Sequence, residues 1–119
     1  MFVKKLLDCP EFIAGDNTVL REMLHPDKAD LDLRYSLAHA TLGAGLSSKP
    51  HKLRTSEVYY ILKGEAVMHI DNEIANVGPG DTIYIPPTAL QFIENTGTSD
   101  LVFICIVDPA WREEDEIVF

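Results

Sequence analysis

Apolar and polar positions along this chain follow the period of strands nearly throughout. Leu31 to Leu42 alternates most clearly: Leu31, Leu33, Tyr35, Leu37, His39 and Thr41 share one face, and Asp32, Arg34, Ser36, Ala38, Ala40 and Leu42 the other. That period predicts one long half-buried strand with His39 on its inward side. His51 to Leu62 reads as a second strand, rich in β-branched and aromatic residues. Its odd positions His51, Leu53, Glu57, Tyr59 and Ile61 share the interior, which leaves Lys52 and Arg54 in solvent. Lys63-Gly64 reads as a two-residue hairpin loop into a return strand, Glu65 to Ile70. That register pairs Ile61 with Ala66, Tyr59 with Met68 and Glu57 with Ile70, and turns His69 outward.

Further short strands are expected at 74–77, 82–85, 91–94 and 101–107, between turns at Asp71-Asn72, Gly78-Pro79-Gly80-Asp81, Pro86-Pro87 and Asn95-Thr96-Gly97. Upstream, 2–7 reads as an edge strand, 8–15 as a turn, and 18–24 as a strand. His25-Pro26-Asp27 ends that strand and leaves His25 in an exposed loop. Downstream, Asp108-Pro109 closes the sheet, and the acidic tail 110–119 is expected to fold back on the apolar anchors Trp111, Ile117, Val118 and Phe119. So little helix and so many turn signals predict an all-β sandwich or small barrel.

Composition narrows the partners. At 119 residues the chain is expected to form one domain, 1–119. Nineteen acidic against ten basic residues, a net charge of −9, would repel phosphate backbones and anionic lipid, so neither nucleic acid nor membrane is an expected partner. The opening apolar run is too short for a signal peptide, and no run approaches the roughly 18 residues of a membrane span. Cys9 and Cys105 match no zinc or redox spacing; Cys105 sits in an apolar run as a small buried hydrophobe. A reduced, cytoplasmic protein is the simplest expectation. No Ser–His–Asp spacing, phosphate-binding loop or dinucleotide glycine motif is present.

The candidate chemistry lies between Gly45 and Asn95. An inward carboxylate at Glu57 must be paired, protonated or coordinated, because an isolated buried charge is very costly. Gly45, His51, Glu57 and Gly64 stand at the positions of a glycine, two histidines two apart, a glutamate and a glycine, with Leu53 where the second histidine belongs. Pro79, Gly80, Asp81, Ile85, Pro86, Pro87 and Asn95 form a second motif, with Gln91 in its histidine position. On these two motifs the chain resembles the cupin superfamily, over about residues 31–107. It is similar in particular to small stand-alone cupins with the His-x-Leu and Gln variants and a Cys-Ile-Val-Asp-Pro-Ala-Trp ending like residues 105–111.

The resemblance implies a conserved β-barrel of double-stranded β-helix (jelly-roll-like) type, and fold far more than activity. In the family three imidazoles and a carboxylate hold a divalent metal; here the remaining set is His51, Glu57 and Gln91, with His39 as a fourth if its strand brings it close. Such a set implies manganese, iron, nickel or zinc, or else a metal-free pocket in which Gln91 hydrogen-bonds the His51–Glu57 pair. Two functions stay open. One is a small-molecule-binding protein with a pocket of His51, Leu53, Glu57, Tyr59, Gln91 and His39. The other is a metal-dependent isomerase or oxygenase acting on a small polar substrate such as a sugar derivative. A lone inward histidine such as His39, and an inward Tyr59, are more often core residues than functional ones. Small cupins commonly pair, so a homodimer is expected, through outward apolar residues Leu42, Val58, Tyr60 and Val67.

Overall fold

The computed structural model describes residues 1–119 and is built almost entirely from antiparallel strands. Strands β1 (Glu11–Ile13), β2 (Val19–Leu24), β3 (Ser36–Leu42), β5 (Ser56–Lys63), β8 (Thr82–Ile85) and β10 (Leu101–Asp108) form one sheet, in the order β1-β2-β3-β10-β5-β8. Strands β4 (His51–Leu53), β6 (Ala66–Ile70), β7 (Glu73–Val77), β9 (Gln91–Asn95) and β11 (Glu116–Val118) form the other, in the order β11-β4-β9-β6-β7. The inner faces enclose a core that includes Leu42, Ile61, Met68, Ile85, Ile93, Leu101 and Phe103. This is the expected all-β barrel, with strands at 82–85 and 101–107 where the turn residues put them.

Several elements differ from expectation for physical reasons. His51 to Leu62 is not one strand: Arg54-Thr55 interrupts it, so β4 lies in one sheet and β5 in the other. The inward parity survives the break, with His51, Leu53, Glu57, Tyr59 and Ile61 all buried. Lys63-Gly64 is not a hairpin loop. β5 pairs with β10 and β8, while β6 pairs with β9 and β7, so the expected Ile61–Ala66, Tyr59–Met68 and Glu57–Ile70 pairs do not form. Both edges of β5 are filled by strands distant in sequence, and the chain crosses between sheets at Gly64. His69 does lie on the outer side of β6, stacked on Phe92 with 4.0 Å between ring centroids.

The face of β3 is reversed. Ser36, Ala40 and Leu42 are buried, and His39 faces away from the interior, between Arg21 of β2 and Ile104 of β10. The expected odd face drew its apolar character from Leu31, Leu33 and Tyr35, which lie outside the strand; within β3 the odd positions are Leu37, His39 and Thr41, and the even residues Ala40 and Leu42 join the core with Phe103 and Tyr59 of the same sheet. Leu42 is therefore core rather than an outward contact, and the strand begins only at Ser36, leaving 31–35 outside it.

The termini also depart from expectation. Residues 2–7 form no strand; a 3₁₀ turn spans Leu6–Asp8, and β1 arises inside the stretch expected to be a turn. Arg21 anchors it, donating to the Cys9 carbonyl at 2.7 Å and to Glu11 at 3.1 Å. His25 is buried, not exposed. Its Nδ1 accepts from the Asp27 N–H, so Nε2 donates to the Trp111 carbonyl at 2.8 Å. The tail does fold back, but through its backbone: β11 pairs with β4, and the Phe119 N–H donates to the Pro50 carbonyl. Ile117, Val118 and Phe119 stay exposed rather than acting as buried anchors.

Gly64 has φ +94°, and a Cβ there would lie 2.9 Å from the Asp100 carbonyl oxygen and 3.0 Å from Leu101 Cα. Gly80 has φ +88° with nothing within 4 Å of the same position. Gly80→Ala should therefore lose only the backbone preference, about 1 kcal/mol, and Gly64→Ala about 2–4 kcal/mol because backbone must also move. Urea unfolding of the two variants measures the difference; equal losses would remove the steric account.

Candidate functional site

A cavity of about 290 Å³ opens between the sheets, on the side where the N-terminal strand and the C-terminal tail cross the barrel. β5 supplies Glu57 and Tyr59, β10 supplies Phe103, Cys105 and Val107, and β4 supplies His51. β1, β2 and the tail close it with Phe12, Leu20 and Trp111. The walls are mainly apolar, and the polar groups concentrate around His51.

Glu57 is fully buried and does not stand alone. Gln91, on β9 of the opposite sheet, donates through Nε2 to Glu57 Oε1 at 3.0 Å, and the Tyr59 hydroxyl donates to Gln91 Oε1 at 3.1 Å. Burial pushes the Glu57 carboxyl up to about 8, opposed by the Gln91 hydrogen bond and reinforced by Asp16 and Glu116. At neutral pH it is mostly a neutral acid, with Oε2 free of any protein hydrogen bond. Burial likewise pushes the Tyr59 hydroxyl and the Cys105 thiol well up. Cys105 is thus a thiol in an apolar wall, not a nucleophile.

His51 is 2% exposed. Its Nδ1 donates to the Lys49 carbonyl at 2.8 Å, which fixes the tautomer and leaves Nε2 facing Asp16 Oδ2 at 3.9 Å. Asp16 is held by its own turn, its Oδ1 accepting from the Thr18 N–H at 3.1 Å and the Thr18 hydroxyl at 2.7 Å. Glu116, on β11, completes the group. Its carboxyl is pushed up by burial, against the pull of His51 and a 3.4 Å hydrogen bond from Trp111 Nε1.

Among the expected site residues, the structure brings His51, Glu57, Tyr59 and Gln91 together. Gln91 stands behind Glu57 and does not line the cavity, and Leu53 is buried without lining it either. His39 lies on the outer side of β3 and reaches neither the cavity nor His51. Asp16, Ser36, Trp111 and Glu116 also line the cavity and were not among the expected site residues. The Asp16-Asn17 turn and the ending at Trp111 left local traces in the sequence; Glu116 arrives through the long-range pairing of β11 with β4.

The donor set does not fit a resident divalent metal. No three His, Cys, Asp or Glu side chains converge. Leu53 contributes no donor. The Gln91 oxygen is taken by Tyr59, and its N–H group points at Glu57. A cation there would have to displace a satisfied buried network.

Residues 38–107 match the family model of the Cupin domain. An uncharacterized protein of Methanocaldococcus jannaschii is 42% identical over 105 residues, covering 87% of this chain and 83% of its own. The mannose-1-phosphate guanylyltransferase of Escherichia coli is 33% identical over 109 residues, 87% of this chain but 23% of the enzyme, so this chain spans less than a quarter of it. A predicted oxalate decarboxylase of Thermotoga maritima shares the fold with a TM-score of 0.80 at 23% identity, over 91% of this chain and 99% of its own. A two-sheet barrel, both motifs in place and a family match over more than half its length make this chain a member of the cupin family.

Proposed function

We propose that this chain binds a small molecule in the cavity, with His51 and Glu57 as its polar contacts and no resident metal. One observation carries the reading: His51 and Glu57 are buried residues that line the cavity, and His51 Nε2 and Glu57 Oε2 take no hydrogen bond from the protein. A ligand or water held in the cavity can supply the partner that the protein does not. At neutral pH Glu57 can donate through Oε2, and the His51 Nε2 position stands beside it, so a small polar group on the ligand matches the floor. A homodimer through the outer face of β5, β8 and β10, where Tyr60, Tyr84 and Ile106 stand exposed, belongs to the same proposal, as does residence in the cytoplasm.

The second reading is a divalent-metal enzyme of isomerase or oxygenase type, acting on a small polar substrate such as a sugar derivative. It draws on relatives whose names carry mannose-1-phosphate and oxalate. Incubation of tag-free protein with manganese, iron, nickel and zinc salts separates the two. Metal analysis after desalting should find well below one ion per chain, equal in wild type and His51→Ala. Stoichiometric metal that His51→Ala abolishes would overturn the metal-free reading.

The protonation of Glu57 is testable through stability. The folded carboxyl keeps its proton up to about 8, whereas the unfolded one loses it near 4.5. Folding therefore takes up a proton between these values, and this group's contribution to stability falls as pH rises across that window, by at most about 5 kcal/mol. Glu57→Gln keeps the carbonyl that accepts from Gln91 and removes the titration. Thermal unfolding at pH 5, 6.5 and 8 should show a steeper decline in wild type than in Glu57→Gln; parallel profiles would mean that Glu57 ionises normally. For the outer face, sedimentation velocity should show a dimer in wild type that Tyr84→Lys dissociates, and a wild-type monomer would exclude the dimer.

A further inference from the structure

The charges around the cavity are one-sided. No lysine or arginine lines it, while Asp16, Glu22, Glu57 and Glu116 do. Glu22 is matched from outside by Lys28 at 2.6 Å, and Glu57 is neutral. Asp16 and Glu116 have only His51 nearby.

Two atoms on buried residues there take no hydrogen bond from the protein. Asp16 is 7% exposed, with Oδ1 taken by Thr18 and Oδ2 free. His51 is 2% exposed, with Nδ1 committed to Lys49 and Nε2 free. The 3.9 Å between Oδ2 and Nε2 is too long for a hydrogen bond between them. It is short enough for one donor nitrogen, about 2.8–3.0 Å from each, to serve both. The same cavity is lined by the rings of Phe12, Tyr59, Phe103 and Trp111. Their faces attract a cation and their area covers an apolar body. An anion would meet carboxylates in a poorly solvated space with no lysine or arginine to offset them.

We propose that the cavity selects a small organic cation: a protonated amine on an apolar or aromatic body, its ammonium bridging Asp16 Oδ2 and His51 Nε2. This rests on the reading of the cavity as a ligand site and names the ligand's class. A cavity of about 290 Å³ is roughly twice the ~150 Å³ that accommodates benzene in an engineered apolar site, so a ring bearing a short aminoalkyl chain fits.

Trp111 is the single tryptophan of the chain and lies in the cavity wall, so its fluorescence reports occupancy. The full chain is titrated at pH 7 with 2-phenylethylamine, 2-phenylethanol and phenylacetate, which share a body and differ in charge, with calorimetry as a second readout. The amine should bind at least about tenfold tighter than the alcohol, and phenylacetate should not bind. Asp16→Asn retains an oxygen for Thr18 and should bring the amine to within about threefold of the alcohol, whose own affinity stays unchanged. Glu116→Gln should reduce the amine preference less, and carries the test if Asp16→Asn does not fold. Alcohol or phenylacetate binding as tightly as the amine would overturn the cation class while leaving the cavity reading in place. An amine preference untouched by either substitution that folds would overturn the class too. Binding by none of the three would overturn the class and the cavity reading together.

Discussion

The hydrogen bonds joining Glu57, Gln91 and Tyr59 cross the barrel from one sheet to the other. A carboxyl at that depth tolerates few environments: a metal, a cation, a neutralising proton or a donor. Here a proton and an amide supply the answer. Gln91 can face Glu57 only with its N–H group if its oxygen serves Tyr59, and that orientation turns a position the family uses for a metal donor into a strut. The same network holds the site without imidazoles at positions 53 and 91. Leu53 is buried clear of the cavity, Gln91 satisfies its neighbours, and one Glu57 oxygen is left without a protein partner.

Much of the motif grammar serves architecture. Gly64 is required where β5 crosses toward β6 against the start of β10. Asp81 accepts from the Gly78 N–H at 2.8 Å and closes its own turn. Asn95 donates to the carbonyls of Leu42 and Ser99, each at 2.9 Å, while its oxygen receives the Gly97 N–H, so it ties a corner in which three segments meet. These duties are indifferent to what the barrel holds, which is why the motifs identify the fold so well and the chemistry so poorly.

The elements legible from sequence were those with one polar and one apolar face. From Leu53 to Ile61 the inward set is readable because lysine, arginine and serine mark the outside. On β3 the apolar character of the odd face came from Leu31, Leu33 and Tyr35, which precede the strand, while Ala40 and Leu42 join the core with Phe103 and Tyr59, which leaves His39 out of the site. The Lys63-Gly64 error has a different origin. Local rules favour pairing of adjacent strands, but β5 already has two partners from elsewhere in the chain, and a glycine suited to a turn is equally suited to a crossing. His25 looked like a loop residue because its partner, the Trp111 carbonyl, is 86 positions away. No window on the sequence contains both.

That distance also bears on what the family relationship can say about the ligand. The matched segment 38–107 contains the floor of the cavity, His51, Glu57, Tyr59, Phe103 and Cys105, with Gln91 behind it. The groups that set its charge and its aromatic cover lie outside that segment. Asp16 comes from the turn between β1 and β2, and Trp111 and Glu116 from the returning tail. The terminal segments are fastened to the barrel by Arg21, His25 and the β11–β4 pairing, none of which depends on the motif residues' chemistry. A cupin can therefore keep its floor and change its ligand by changing its ends. In this chain both ends bring carboxylates to a histidine, with no basic side chain among the cavity walls.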